Sequence, residues 1–209
     1  MPSPAEPASV APDGFASTTW PGSAELPRLV ARQLVALRPL LQAAAVSVAL
    51  LDDARRLQFV AASGVGAQAI VGQVIDHDRG IAGWVVSTGQ AIGVSDISSD
   101  ERFAHDVAAS TGYLPQRITA VPVMGEVGPV GVLEVLDAPV DPLASASVTV
   151  AVNAMAESVA DLVATVGGDG DQSASASALA RLSDVDPALA QHLLAVIEAL
   201  VPNREQRRR

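Results

Sequence analysis

The 209-residue chain has no cysteine and no lysine, and its aromatic residues amount to two tryptophans, one tyrosine and three phenylalanines. Missing cysteine excludes disulfides, thiolate metal sites, a thiol nucleophile and thioether attachment of a cofactor through the chain's own sulfur. Scarce aromatics leave little surface for gripping a large stacked chromophore. Positive charge comes from arginine alone and the formal net charge is −10, so nucleic acid would meet a mostly repulsive surface. The histidines, His77, His105 and His192, are too scattered to form a metal motif by spacing. No Gly-x-Ser-x-Gly elbow occurs, and Gly80-Ile81-Ala82-Gly83 is not followed by the lysine and hydroxyl residue of a phosphate loop. With no nucleophile, base and acid set in view, a non-enzymatic protein is expected. No apolar run approaches the roughly 20 residues that span a bilayer, and Met1-Pro2-Ser3-Pro4-Ala5-Glu6 lacks the basic start of a secretory signal. The expectation is a cytoplasmic protein without a membrane or nucleic-acid partner.

What is present divides the chain into four segments. Residues 1–22, rich in proline, alanine and serine, read as a disordered leader. Residues 23–166 hold the folded domain. Within it Leu26, Val30, Leu34, Leu37 and Leu41 recur at helical spacing, predicting a helix over 24–38 that Pro39 kinks or ends. Val46, Val48 and Leu50 alternate with smaller residues, as do Leu57, Phe59 and Ala61 after the polar turn Asp52-Asp53-Ala54-Arg55-Arg56, which predicts an antiparallel hairpin. Further strands are expected near 71–75, 91–95, 117–124 and 129–137. Between them, Asp78 is placed to cap a helix that ends at Gly89, and Asp96 opens a turn into a second helix that stops at Gly112.

Asp141-Pro142 is a favourable helix start. Beyond it Val148, Val152, Met155, Val159, Leu162 and Val166 follow a repeat of 3.5 residues, the seam of a helix that meets another helix. That partner is either a second copy of the chain, giving a homodimer, or the chain's own sheet and first helix. Residues 167–177, with Gly167-Gly168-Asp169-Gly170 and a Ser-Ala repeat, read as a flexible linker. Residues 178–209 form an amphipathic helical tail, with Leu189, Leu193, Val196, Ile197, Leu200 and Val201 on one stripe, which docks on this domain, on its twin, or on another protein.

In order, Gly80-Ile81-Ala82-Gly83-Trp84, Thr88-Gly89-Gln90-Ala91-Ile92, Ser95-Asp96, Ala120-Val121-Pro122-Val123 and Gly131-Val132-Leu133-Glu134-Val135 resemble a GAF domain, of the stand-alone sensor type met in actinobacteria. The resemblance implies an α+β fold: a GAF/PAS-like central six-stranded antiparallel sheet flanked by helices, with the terminal helices forming a bundle. It also implies a cavity on the sheet face that meets the two connecting helices, with Trp84, Phe103, Tyr113, Thr119, Val121 and Glu134 near it. Glu134 would orient a cationic or amide-bearing ligand, Thr119 would offer a hydroxyl, and Trp84 and Tyr113 would offer apolar area with a polar tip. For each a structural role competes: Trp84 as core, Glu134 as a solvent-facing residue on an edge strand.

Family members that bind cyclic nucleotides carry Asn-Lys-x-Phe-x-Asp-Glu after the last strand; Leu136-Asp137-Ala138-Pro139 stands here and disfavours those ligands. Absent cysteine removes the self-attached bilin and the thiol reductase chemistry of other relatives, and haem, for which His105 is the one candidate ligand, is not expected; the sequence leaves the cofactor or ligand unidentified. The expected function is a non-enzymatic sensor that binds a small molecule and signals through its helices in a homodimer. The alternative is an interaction scaffold whose pocket is filled by its own side chains and whose tail recruits a partner.

Overall fold

The computed structural model describes residues 9–10, 15–17, 20 and 25–167. The expected linker and tail beyond Gly167 lie outside the described residues. Two short strands come first, β1 (Ser9–Val10) and β2 (Phe15–Ser17), then helix α1 (Leu26–Leu40), strands β3 (Ala45–Leu51) and β4 (Arg56–Gly64), the short α2 (Ala67–Ile70) and β5 (Val74–Asp76). Helix α3 (Gly80–Thr88), β6 (Ile92–Val94), a 3-10 turn (Ile97–Ser99), α4 (His105–Ser110), β7 (Ile118–Met124), β8 (Pro129–Leu136) and α5 (Ala146–Gly167) complete the order. The sheet runs β1-β2-β4-β3-β8-β7-β6 with β5 also on β4, and every pairing is antiparallel. Six of these strands form the antiparallel sheet that the sequence predicts. The other two come from the leader, whose Phe15–Ser17 pairs with Ser63–Ala61 where only disorder was expected.

Helix α1 forms because Leu26, Val30, Leu34 and Leu37 place one apolar stripe on the sheet; all four are fully buried. Each such side chain contributes roughly 1.5–3 kcal/mol relative to exposure. Pro39 does not end the helix. It lies in the last turn, so the single intrahelical bond that its missing N–H forfeits falls at the helix end, and the Leu41 N–H still donates to the Leu37 carbonyl at 3.1 Å. Helix α5 begins later than expected, at Ala146. Asp141 caps a separate turn instead, accepting from the Leu143 N–H at 2.9 Å and the Thr119 hydroxyl at 3.2 Å.

The sheet separates two cores. On one side α1 and α5 cover Val46, Val48, Leu50, Val121, Val123, Leu133 and Val135. On the other, α3 and the segment around α4 cover Ala49, Leu57, Phe59, Ile75, Ile118, Ala120 and Val132. The 3.5-residue repeat in α5 is used within the chain: Val152, Met155 and Val159 are buried against α1 and the sheet. The stretch Val148–Thr165 is long and apolar enough to cross a membrane by length and composition alone, and its buried residues give that apolarity a structural use.

A bulge sets which residues face which core. Val48 pairs with Ala61 and Ala49 with Phe59, so Val60 has no opposite residue. Phe59 therefore faces α3 while Ala61 joins the α1–α5 core. The regular alternation expected over Leu57, Phe59 and Ala61 breaks at this point.

Candidate functional site

Between the sheet and the α3–α4 layer lies a cavity of about 80 Å³. Its floor is built by side chains from five strands, including Ser47, Phe59, Ala62, Ile75, Ile118, Glu134 and Leu136. Ile81 and Ala82 from α3 and Phe103, Val107 and Ala108 at α4 form the roof, with Thr111, Tyr113 and Pro115 along one side. The walls are mostly apolar, with a few convergent polar groups, which is the usual character of a small-molecule site.

Glu134 is the chemically distinctive group. It sits on β8 directly opposite Ser47 of β3 and accepts a hydrogen bond from the Ser47 hydroxyl at 3.0 Å. Only 8% of the residue is exposed, and no ion pair reaches it among the described residues. Burial pushes its carboxyl up to about 7, against the opposing pull of the Ser47 hydrogen bond. The site thus holds an acid poised between neutral and charged forms near neutral pH.

The roof is tied to its surroundings at three places. Arg79, at the start of α3, pairs with Asp106 of α4. Gln73 donates from its amide to the Ser110 hydroxyl at 2.8 Å. Tyr113 donates its hydroxyl to Asp137, and burial, reinforced by that carboxylate, raises the phenol to about 12. Asp137 also accepts the Gln116 and Arg117 N–H groups at 2.9 and 2.8 Å, and adopts a left-handed backbone at φ 50° to do so. It fixes the segment that carries Tyr113 into the cavity wall.

Three of the six residues expected at the site line this cavity: Phe103, Tyr113 and Glu134. Glu134 lies on a central strand between β3 and β7, rather than on a solvent-facing edge. Thr119 and Val121 are on the opposite face of β7, because Ile118 and Ala120 point toward α3 and side chains alternate along a strand. Val121 is packed under α1 and α5, and Thr119 borders a separate cleft of about 110 Å³ beside Asp141. Trp84 is half-buried on α3 outside the cavity wall, with the Arg102 guanidinium 5.3 Å from its ring centroid. His105, the haem candidate, is exposed and meets Phe103 edge-on at 5.0 Å, away from the cavity lining. The expected cap at Asp78 is not made either: Arg79 takes the N-cap position of α3, without a side-chain hydrogen bond.

Sequence reasoning missed Ser47, Arg79, Asp106 and Asp137. Ser47 had a signal, a lone hydroxyl inside the apolar run Val46-Ser47-Val48. The other three depend on contacts between distant segments.

The sequence pattern of the GAF domain family matches residues 25–166. The chain belongs to the GAF domain family. GAF domains are ligand-binding sensory and regulatory modules. Solved GAF structures superimpose on this one: the GAF domain of an Acinetobacter phosphoenolpyruvate-protein phosphotransferase has a TM-score of 0.58 at 20% identity, covering 69% of this chain and 85% of that one. Residues 122 to 287 of a methyl-accepting chemotaxis protein reach 0.59 at 18% identity, covering 69% and 92%. The free methionine-R-sulfoxide reductase of Neisseria meningitidis, in complex with its substrate, gives 0.54 at 18%, covering 68% and 82%. At these identities the likeness establishes the GAF fold and nothing finer. A stretch of 62 residues, 30% of this chain, is 36% identical to the probable 3′,5′-cyclic phosphodiesterase pde-5 of Caenorhabditis elegans and spans 8% of that protein's length.

Proposed function

We propose that this GAF domain is a non-enzymatic sensor that binds a small molecule between Glu134 and the α3–α4 roof and reports occupancy through α1 and α5. The observation that carries the reading is a buried acid facing a mostly apolar cavity, hydrogen-bonded by one serine. Ser47 and Glu134 lie on adjacent central strands, and their neighbours Val46, Val48, Leu133 and Val135 pack on the other side against α1 and α5. A ligand that repositions the serine–glutamate pair therefore acts on strands whose reverse faces support the two long helices. Population shift between two arrangements of those helices is the signalling step.

No cysteine is available for thiol chemistry, which supports binding over thiol-dependent catalysis. Homodimerisation through the α1–α5 layer belongs to the same proposal. Its seam is occupied within the chain, so a twin would dock on the half-buried Val35, Leu162 and Val163 at the rim. The expected setting is the cytoplasm.

Native mass spectrometry of the purified full chain, set against its denatured mass, tests the reading. A retained small-molecule mass, lost on denaturation, supports the sensor, and the same spectrum gives the stoichiometry. A bare chain that no cell-extract fraction stabilises against heat overturns it in favour of the scaffold, whose cavity is only a packing void.

A further inference from the structure

We infer that the cavity selects a small organic ammonium ion, an amine carried on a short apolar body, and rejects anions such as nucleotides and carboxylates. This rests on the reading of the cavity as a ligand site and names the ligand's charge and size.

Among the described residues, three ionisable side chains line the cavity: Glu134, Arg79 and Tyr113. The cationic one is committed elsewhere, because Arg79 pairs with Asp106 at the exposed outer side. The phenol of Tyr113 stays neutral at physiological pH and spends its proton on Asp137. Glu134 is thus the one group that brings charge to the interior, and a carboxylate has about four lone-pair sites, of which Ser47 satisfies one. A buried carboxylate with no cation is costly, and an ammonium group supplies both the missing charge and up to three donors. An anionic ligand would bring like charge against Glu134 where little water screens it. The remaining walls, such as Phe59, Ile75, Ile81 and Ile118, suit a hydrocarbon body. A volume of about 80 Å³ holds several waters, so the body is short.

Binding also gains a pH signature. An ammonium ligand needs the ionised glutamate, and burial places that ionisation near pH 7. Alkylamines remain protonated throughout this range, so Glu134 alone sets the profile.

The test is calorimetric titration of the full chain with n-butylammonium, n-butanol and butyrate at fixed ionic strength from pH 5.5 to 8. Butylammonium is expected to bind in preference to the other two, with affinity falling roughly tenfold per pH unit well below 7. Glu134→Gln, which keeps the shape, should abolish ammonium binding and the pH dependence. Butanol binding as tightly as the amine, a preference for butyrate, a flat profile, or undiminished amine binding by a folded Glu134→Gln variant would each overturn the assignment. If none of the three probes binds, the ammonium assignment fails, whereas a retained mass of another class in native spectra would leave the sensor reading standing.

Discussion

Glu134 links the site to stability in a way that one substitution can read. An unfolded glutamate ionises near 4.5, and burial moves this one up to about 7, so between those values the folded chain holds a proton that the unfolded chain releases. The stabilisation from the neutral acid is complete below about pH 4.5 and is lost as pH rises through about 7. The shift corresponds to on the order of 3 kcal/mol, since each pKa unit is about 1.4 kcal/mol. Glu134→Gln removes the titration while keeping a neutral side chain of the same shape. In urea unfolding of ligand-free protein, the variant should match the parent near pH 5 and exceed its stability increasingly toward pH 8. A difference that stays constant across that window would mean that Glu134 titrates no differently in the folded and unfolded chains.

At the level of elements, Gly83 shows how helix and loop are fitted together over the cavity. Helix propensity alone favours alanine over glycine inside a helix by about 0.8–1.0 kcal/mol. At Gly83, however, an added Cβ would stand 2.4 Å from the Asp78 carbonyl carbon and 2.9 Å from the His77 carbonyl oxygen, and backbone atoms of the loop cannot swing away. Gly83→Ala should therefore reverse the expected sign and destabilise the domain by about 2 kcal/mol, a typical overpacking cost, as measured by chemical denaturation. Gly112→Ala meets nothing within 4 Å and bears only the strain of its left-handed backbone, so it should be the milder change. Much at this scale was legible in sequence. The leucine stripe of α1, the glycine that ends α3 and the strand segments follow from local periodicity and turn chemistry. What local pattern could not supply was parity. The bulge at Val60 and the facing of Thr119 and Val121 depend on pairing across strands, so residues that alternate correctly were assigned to the wrong core. The leader strand was hidden for the same reason: Phe15–Ser17 is held by the free edge of β4, a distant segment.

Across the described residues, the site and the long helices lie on opposite faces of one sheet, so the proposed signal would have to pass through it. Glu134 and Ser47 could be read as polar positions in apolar strands, but their joining into one pair depends on the β3–β8 register. That same register places Leu133 and Val135, which flank Glu134 in the chain, directly against the α1–α5 core. The two helices are also joined by a buried polar contact, the Gln33 amide donating to the Ser158 hydroxyl at 2.8 Å, while the Gln33 side-chain carbonyl oxygen is buried without a hydrogen-bond partner among the described residues. An incompletely satisfied buried amide holds the helix pair less firmly than an apolar contact would, which suits an element that changes arrangement. Hydrogen exchange with and without n-butylammonium at pH 8 reads the consequence. A ligand that acts only on the roof should slow exchange in α3 and α4 and leave α1 and α5 as they were. Transmission through the central strands should instead alter exchange in β3, β8 and both long helices together, and Glu134→Gln should erase the distant effect along with the local one. Protection confined to the roof would break the proposed route from cavity to helices even if the ligand binds.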